Sequence, residues 1–342
     1  MRVTLVGGGG YIGGELLRLL VGHPQLTLAQ VSSQTHRGRP VTVAHPNLRG
    51  FVESRFVAPE ELEPCDAVVV AGGAADQTLE QARRLAPVVV DCGPDLRLRD
   101  PGHFRYWYGR DPGHPGLLSQ AVYGLPEVSR DRLVGATLAS GAGCSAVASI
   151  LALLPVARSG WALTHPTCVE ARFGSSAGGA RPTAASHHPE RAGAVRVFAP
   201  EGHRHQAEVA QALGWEAGDL SYSGVALEMV RGISVSARCF LAEPLTERQV
   251  WAAFRSTFEG QPFVRIVAQR QGLHRQPDPR WVVGTNFCDV GFALDRSGRR
   301  LTVLAALDNL GKGGAGNALQ TLNLMLGLDE CSGLRFPGLH PL

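Results

Sequence analysis

The chain has 342 residues, 44% of them hydrophobic and 18% charged. At roughly 150 residues per domain the length suits about two domains, and the composition excludes a disordered chain. A net charge of +3 without a dense basic run argues against nucleic-acid binding. No apolar stretch approaches the roughly 20 residues of a membrane span.

The N-terminal run Met1–Gly7 meets glycines at once and has none of the regions of a signal peptide, so a cytoplasmic protein is expected. Seven cysteines, with no Cys-x-x-Cys pair, argue against a disulfide framework and a zinc ribbon. Lys312 is the single lysine among 33 basic residues.

In chain order, Val3–Val6 reads as a short strand, followed by a glycine turn and a helical spacing over Glu15–Val21. Leu26–Val31, Ala67–Ala71 and Val88–Asp91 are further strand candidates, with a helix over Gln77–Leu85. This alternation predicts a doubly wound parallel sheet, an α/β Rossmann domain, over residues 1–143. A helix is predicted over Gly143–Val156. Thr167–Ala171, Gly232–Phe240, Phe263–Val267 and Asn286–Leu294 read as strands of a second, α+β domain over 144–313, with a helix at Glu247–Phe258. Arg172–Pro200, rich in Gly, Ser, His and Pro, reads as a functional loop or lid. The glycine-rich turn Gly311–Gly316 leads into an apolar helix, and residues 314–342 are expected to pack back on the first domain.

Gly8-x-Gly10-x-x-Gly13 follows the first strand and opens the first helix. Glycines there allow a tight turn and let backbone N–H groups approach a pyrophosphate at the positive helix end. Gly7, Gly9, Gly10, Tyr11, Ile12 and Gly13 are the candidate contacts. The second strand ends in Val31-Ser32-Ser33-Gln34, with no carboxylate to repel a ribose 2′-phosphate, and Arg37 and Arg39 are close in sequence. NADP is therefore favoured over NAD, with Ser32, Ser33 and Gln34 as candidate contacts.

Cys144 lies among small residues, Ala139-Ser140-Gly141-Ala142-Gly143-Cys144-Ser145-Ala146, at the start of a helical pattern. A helix N-terminus favours a thiolate, and its N–H groups can stabilise an oxyanion. A thiolate needs an acid/base partner, and four histidines at 187, 188, 203 and 205 are candidates. They lack metal-ligand spacing, so no metal is expected.

Taken together, these residues resemble the N-acetyl-γ-glutamyl-phosphate reductase family. Gly7–Leu16, His45–Gly50, Asp91–Leu98, Trp107–Gly109 and Tyr123–Glu127 are similar to its successive motifs. Gly143-Cys144 resembles its nucleophile, Gly202-His203-Arg204-His205 its catalytic-histidine segment, and Asp308–Gly316 its C-terminal motif. The resemblance implies a Rossmann domain and a glyceraldehyde-3-phosphate-dehydrogenase-like domain in a homo-oligomer, a dimer or tetramer. It implies Cys144 and His203 as catalytic and Asn309 as a cofactor contact. Arg204 and His205 would hold phosphate or a carboxylate.

Gly174–Ala180 and Ser186–Arg191 resemble a branch that reduces 2-aminoadipate 6-phosphate bound to an acidic amino-group carrier protein in lysine biosynthesis, sometimes with the glutamyl analogue for arginine. Ser175 and Ser176 become substrate contacts in that reading. The alternatives are reduction of free N-acetylglutamyl phosphate and a non-catalytic NADP-binding regulatory protein. Ala71-Gly72-Gly73-Ala74-Ala75, Gln34 and Asn317 depart from the family pattern.

Overall fold

The structure, a computed structural model, describes residues 1–72 and 76–341. Gly73, Ala74 and Ala75, within the departure from the family pattern, lie outside the described residues. The chain forms two units.

The first unit begins with β1 (Arg2–Val6), α1 (Tyr11–Val21), β2 (Thr27–Val31), α2 (Val41–Ala44), β3 (Ala67–Val70) and α3 (Asp76–Leu85). It continues with β4 (Val88–Asp91), α4 (Pro101–Tyr108), β5 (Val122–Gly124), α5 (Pro126–Leu133) and β6 (Leu138–Gly141). The strands form one sheet in the order β2-β1-β3-β4-β6-β5, with every neighbouring pair parallel. Parallel strands covered by helices are buried on both faces, which is why β3 reads Ala-Val-Val-Val and is buried throughout. β2 and β3 flank β1 on opposite sides, so the strand order reverses at β1. Ligands of such sheets bind outside the carboxyl ends of the strands at that point.

The second unit opens with α6 (Cys144–Ser159), a helix buried from Ser145 to Val156. Its sequence is apolar or small on every side, as a fully enclosed helix requires. The unit then runs β7 (Thr167–Phe173), α7 (His188–Arg191), β8 (Val195–Ala199), α8 (His205–Leu213), β9 (Leu220–Leu227) and β10 (Ile233–Phe240). It ends with α9 (Glu247–Phe258), β11 (Val264–Ile266), β12 (Cys288–Leu294) and β13 (Arg300–Leu307). The seven strands form a mixed sheet in the order β11-β12-β13-β10-β7-β9-β8. α6 packs on β10 and β13 between α8 and α9. α9 starts at a capping box, in which Thr246 and Gln249 bond each other's backbone N–H.

Gly311–Ala315 form a π-helical turn, and α10 (Gly316–Met325) follows. α10 belongs to the first unit, packing on α5, β4 and α1, whereas from Pro337 on the tail groups with the second unit. The segment 172–200 is not all loop. It contains β8, an edge strand whose Val195, Val197 and Phe198 are exposed and so lack the alternating burial that marks a strand.

Candidate active site

In the first unit the glycine turn is held by close approaches that only hydrogen side chains permit. A Cβ on Gly8 would stand 2.2 Å from Val31 Cγ2, and one on Gly13 would stand 2.5 Å from Gly8 Cα. Gly7 has φ +76°, and its Cβ would meet the Gly72 carbonyl oxygen at 2.9 Å. Gly10, the N-cap of α1, differs: a Cβ there meets nothing within 4 Å. This is an open helix N-terminus after the first strand of the sheet. Tyr11 is exposed and Ile12 half-buried.

Ser32 and Ser33 are buried, and both hydroxyls face the turn. Ser32 Oγ accepts the Gly7 N–H at 3.4 Å, and Ser33 Oγ accepts the His36 N–H at 3.3 Å. Gln34, Arg37 and Arg39 are exposed, and Arg37 pairs with Glu61. Two histidines that sequence reasoning did not assign complete the cradle. His45 lies 2.7 Å from the Gly8 carbonyl oxygen through Nε2 and packs under Gly14. His36 packs beside Gly9, and its Nδ1 is buried with no partner. An open helix N-terminus and an orphaned imidazole nitrogen beside it fit a phosphorylated ligand.

In the second unit Cys144 is the first residue of α6 and half-buried. It lines a cavity of about 340 Å³ together with Ser175, His203, Arg204 and His205. His187 and His188 are exposed and stand outside that lining. Gly143, before Cys144, must be glycine: a Cβ would lie 2.5 Å from His205 Nε2 and 2.8 Å from Glu208 Oε1. The Gly143 N–H donates to Glu208 Oε2 at 2.9 Å. That amide is thus committed to a buried carboxylate.

The two histidines differ. His205 is buried, and its Nδ1 lies 2.6 Å from Ser145 Oγ. Ser145 Oγ also meets Tyr222 Oη at 2.9 Å, and Tyr222 in turn meets Ser149 at 3.0 Å. His203 is lined by Phe173, Phe198, His205 and Tyr222, with ring centroids 4.7 to 5.9 Å away. Burial, then the Arg204 charge, lower its pKa to about 4. Its Nδ1 accepts the His205 N–H at 3.2 Å, which leaves the proton of the neutral ring on Nε2.

β8 carries a bulge between Val197 and Ala199 that places Phe198 over Gly224, where a Cβ would meet the ring at 2.7 Å. Bulges re-aim side chains, and this one puts an aromatic ring against His203. Ser176 and Asn309 are joined to each other. Asn309 Nδ2 donates to Ser176 Oγ at 2.9 Å and its Oδ1 accepts the Gly232 N–H at 2.8 Å. Both are buried, and Ser176 is not among the residues around the cavity. Glu208, Ser145 and Tyr222, and Arg196 on the cavity wall, were not singled out from the sequence, and Arg191, also on that wall, entered only as the end of the Ser186–Arg191 segment. The spacing of His205 and Glu208, one turn apart at the start of α8, was the signal for Glu208.

Among the described residues no group of three or more His, Cys, Asp or Glu side chains could hold a metal ion. No described helix is long and apolar enough to cross a membrane.

Residues 2–136 match the family described as "Semialdehyde dehydrogenase, NAD binding domain", and residues 144–309 match "Semialdehyde dehydrogenase, dimerisation domain". The aspartate semialdehyde dehydrogenase II of Vibrio cholerae shares the fold, with a TM-score of 0.66 at 16% identity over 95% of this chain and 98% of that one. That of Francisella tularensis aligns with a TM-score of 0.65 at 14% identity, over 95% and 100%. Fold and family together define an oxidoreductase that uses a nicotinamide dinucleotide.

The sequence is 43% identical to the LysW-L-2-aminoadipate 6-phosphate reductase of Deinococcus radiodurans, over 99% of this chain and 98% of that one. It is 40% identical to the LysW-L-2-aminoadipate/LysW-L-glutamate phosphate reductase of Sulfurisphaera tokodaii, over 100% and 99%. The chain belongs to the semialdehyde dehydrogenase family and, within it, to the branch of N-acetyl-γ-glutamyl-phosphate reductase relatives that carry these names.

Proposed function

We propose that this protein reduces carrier-protein-linked L-2-aminoadipate 6-phosphate to the semialdehyde with release of phosphate, in lysine biosynthesis in the cytoplasm. The observation that carries the chemistry is Cys144 at the first position of α6, in one cavity with His203 and His205. The substrate follows from the names of relatives 40–43% identical over nearly the whole chain.

Residues 1–143 with the helix after 314 take the dinucleotide, and 144–313 carry the acyl chemistry and the contacts of a homo-oligomer. Gly7, Gly9, Gly10, Tyr11, Ile12 and Gly13 would hold the pyrophosphate, and Ser32, Ser33, Gln34 and His36 the adenosine ribose. The lack of a carboxylate at the end of β2 supports NADPH. The dinucleotide, when bound, supplies the hydride.

Cys144 Sγ, as thiolate, attacks the acyl carbon of the phosphate anhydride. The C–S bond forms, the C–O bond to phosphate breaks, and phosphate leaves with that electron pair, giving a thioester. After reduction at the thioester carbon, the oxygen lone pair re-forms the carbonyl and the C–S bond breaks. The semialdehyde and the Cys144 thiolate result. His203, neutral at pH 7 with its proton on Nε2, donates to the substrate oxygen as charge develops there, as neutral histidines do in other carbonyl chemistry. Arg204 and His205 lie on the wall that would face the phosphate.

The relative from Sulfurisphaera tokodaii, named for both acyl chains, favours use of the glutamyl analogue as well. One methylene is worth only about 1–3 kcal/mol of discrimination in a pocket. The test is the reverse reaction, NADPH formation from NADP and phosphate, with carrier-linked aminoadipate semialdehyde against free N-acetylglutamate semialdehyde. A preference of at least about tenfold for the carrier-linked compound is expected; a preference for the free compound would overturn the reading.

A further inference from the structure

A second cavity in this unit, of about 470 Å³, lies at the far ends of the two helices that carry the catalytic residues. α6 begins at Cys144 and ends at this cavity, and its 16 residues put about 24 Å between the two. α8 begins at His205, and Trp215, two residues past its end, lines the same cavity. Trp161, His165 and Asp219 supply the other aromatic and ionisable side chains, and both indoles are half-buried. The backbone that presents them is fixed. The Ala242 N–H donates to the Ala162 carbonyl at 2.9 Å, and the Trp215 N–H donates to the Ala210 carbonyl at 2.9 Å. Gln206, next to His205, donates to the carbonyls of Ala217 and Leu220 at 2.9 and 2.8 Å, and so holds the turn that carries Asp219.

The fixed charge around this cavity has one sign. Asp219 is exposed, its Oδ2 accepts the Glu216 N–H at 2.9 Å, and no cation pairs with it among the described residues. The last turn of α6, the negative end of that helix's dipole, forms another part of the wall. Arg158 in that turn is directed elsewhere, its Nη1 donating to the Thr257 carbonyl at 3.1 Å. None of the chain's 33 lysines and arginines lines the cavity. His165 Nδ1 lies 2.9 Å from Thr164 Oγ1. A hard metal ion takes six or more oxygen ligands, which one carboxylate and two indoles do not supply. An organic cation uses what is present: a carboxylate for its charge, aromatic faces for its charge and its apolar body.

We propose that this cavity binds an organic cation, an ammonium or guanidinium borne on a short alkyl chain. The site goes beyond the reduction proposed above and does not rest on it.

The test is calorimetric titration of the full chain with L-lysine, L-arginine and L-norleucine. Norleucine shares their α-amino acid head and lacks the side-chain charge. Lysine or arginine should bind at one site per chain, at least about fivefold more tightly than norleucine. Asp219→Asn keeps an oxygen for the Glu216 N–H and should weaken that binding at least about fivefold. Trp161→Leu should weaken it about threefold. NADP affinity should stay within about twofold in both variants, which shows that they are folded. Norleucine binding as tightly as lysine and arginine would overturn the proposal, because the side-chain charge would then not be read. Binding untouched by Asp219→Asn would place the ligand in the Cys144 cavity or on the surface, and would also overturn it. No saturation, as when a second copy of the chain covers the cavity, would remove the site. Failure of the carrier-linked reduction changes none of these outcomes, because the titration reads binding alone.

Discussion

Glu208 accepts the backbone N–H of Gly143 at 2.9 Å while fully buried, so the residue before the nucleophile is tied to α8. The same carboxylate lies 3.8 Å from His205 Nε2. Glu208→Ala should leave the Gly143 amide without its acceptor and cost about 1–3 kcal/mol of stability. Glu208→Gln, which keeps an acceptor oxygen, should lose less. Thermal unfolding of the three proteins measures this, and equal midpoints would show that the tie contributes nothing.

Gly10 and Gly13 separate fold from ligand binding. Gly13→Ala forces a Cβ onto the Gly8 backbone and should lower the unfolding midpoint together with dinucleotide affinity. Gly10 has φ −90°, which any residue adopts, and open space beside it. Gly10→Ala should leave the midpoint within about 2 °C. It should still weaken NADP binding by at least about tenfold, because the methyl group would occupy the approach of the pyrophosphate. Calorimetric titration with NADP checks this; unaltered affinity would move the pyrophosphate away from Gly10.

Cys144→Ser should abolish turnover, by more than about a thousandfold, in a protein that still folds. Iodoacetamide at pH 7 should inactivate the wild type in step with labelling of Cys144. Burial pushes the Cys92 and Cys239 thiols up to about 12, so both should stay unlabelled. Peptide mapping distinguishes this from uniform labelling.

His203 couples stability to acid. Its pKa is about 4 in the folded chain and 6.5 when unfolded, so between these values the unfolded state binds more protons. The His203 contribution to stability should be constant above pH 6.5, fall as the pH drops toward 4, and level off below. At about 1.4 kcal/mol per pH unit the loss is on the order of 3–4 kcal/mol at most. Burial lowers His23 and His45 in the same direction. His203→Asn should flatten its share of the acid limb in urea titrations at pH 4.5 and 7. An unchanged slope would place the protonated ring in a favourable site.

Much of the first unit was legible because its signals are local. β1, its glycine turn and the start of α1 form one continuous pattern, and β3 and β4 are runs of valine that only a doubly covered sheet accommodates. β5 and β6, three and four residues long and rich in glycine and small residues, carry no such pattern. In the second unit β8 was hidden because an exposed edge strand alternates nothing. Cys144 could be placed at a helix start from its small neighbours. Its partners were harder: Glu208 reaches Gly143 across 65 positions, and Arg191 and Arg196 meet the cavity only because an edge strand and a short helix bring them there. Arg191 closes the Ser186–Arg191 segment that resembles the carrier-dependent branch, whereas nothing in the neighbourhood of Glu208's contact or of Arg196 marks them.

The return of α10 to the first unit reverses the usual order of assembly on the ribosome, where N-terminal domains fold first. Residues 1–142 emerge early with all six strands of their sheet, yet one of its helices is made only after residues 143–313 of the second unit. Every residue of α10 is buried, and Asn323 bonds His23 at 3.1 Å across 300 positions. The unit that is translated first thus waits for the bulk of the second before it is complete, and a fragment ending near residue 142 would contain the entire glycine turn but not the helix that closes its own core.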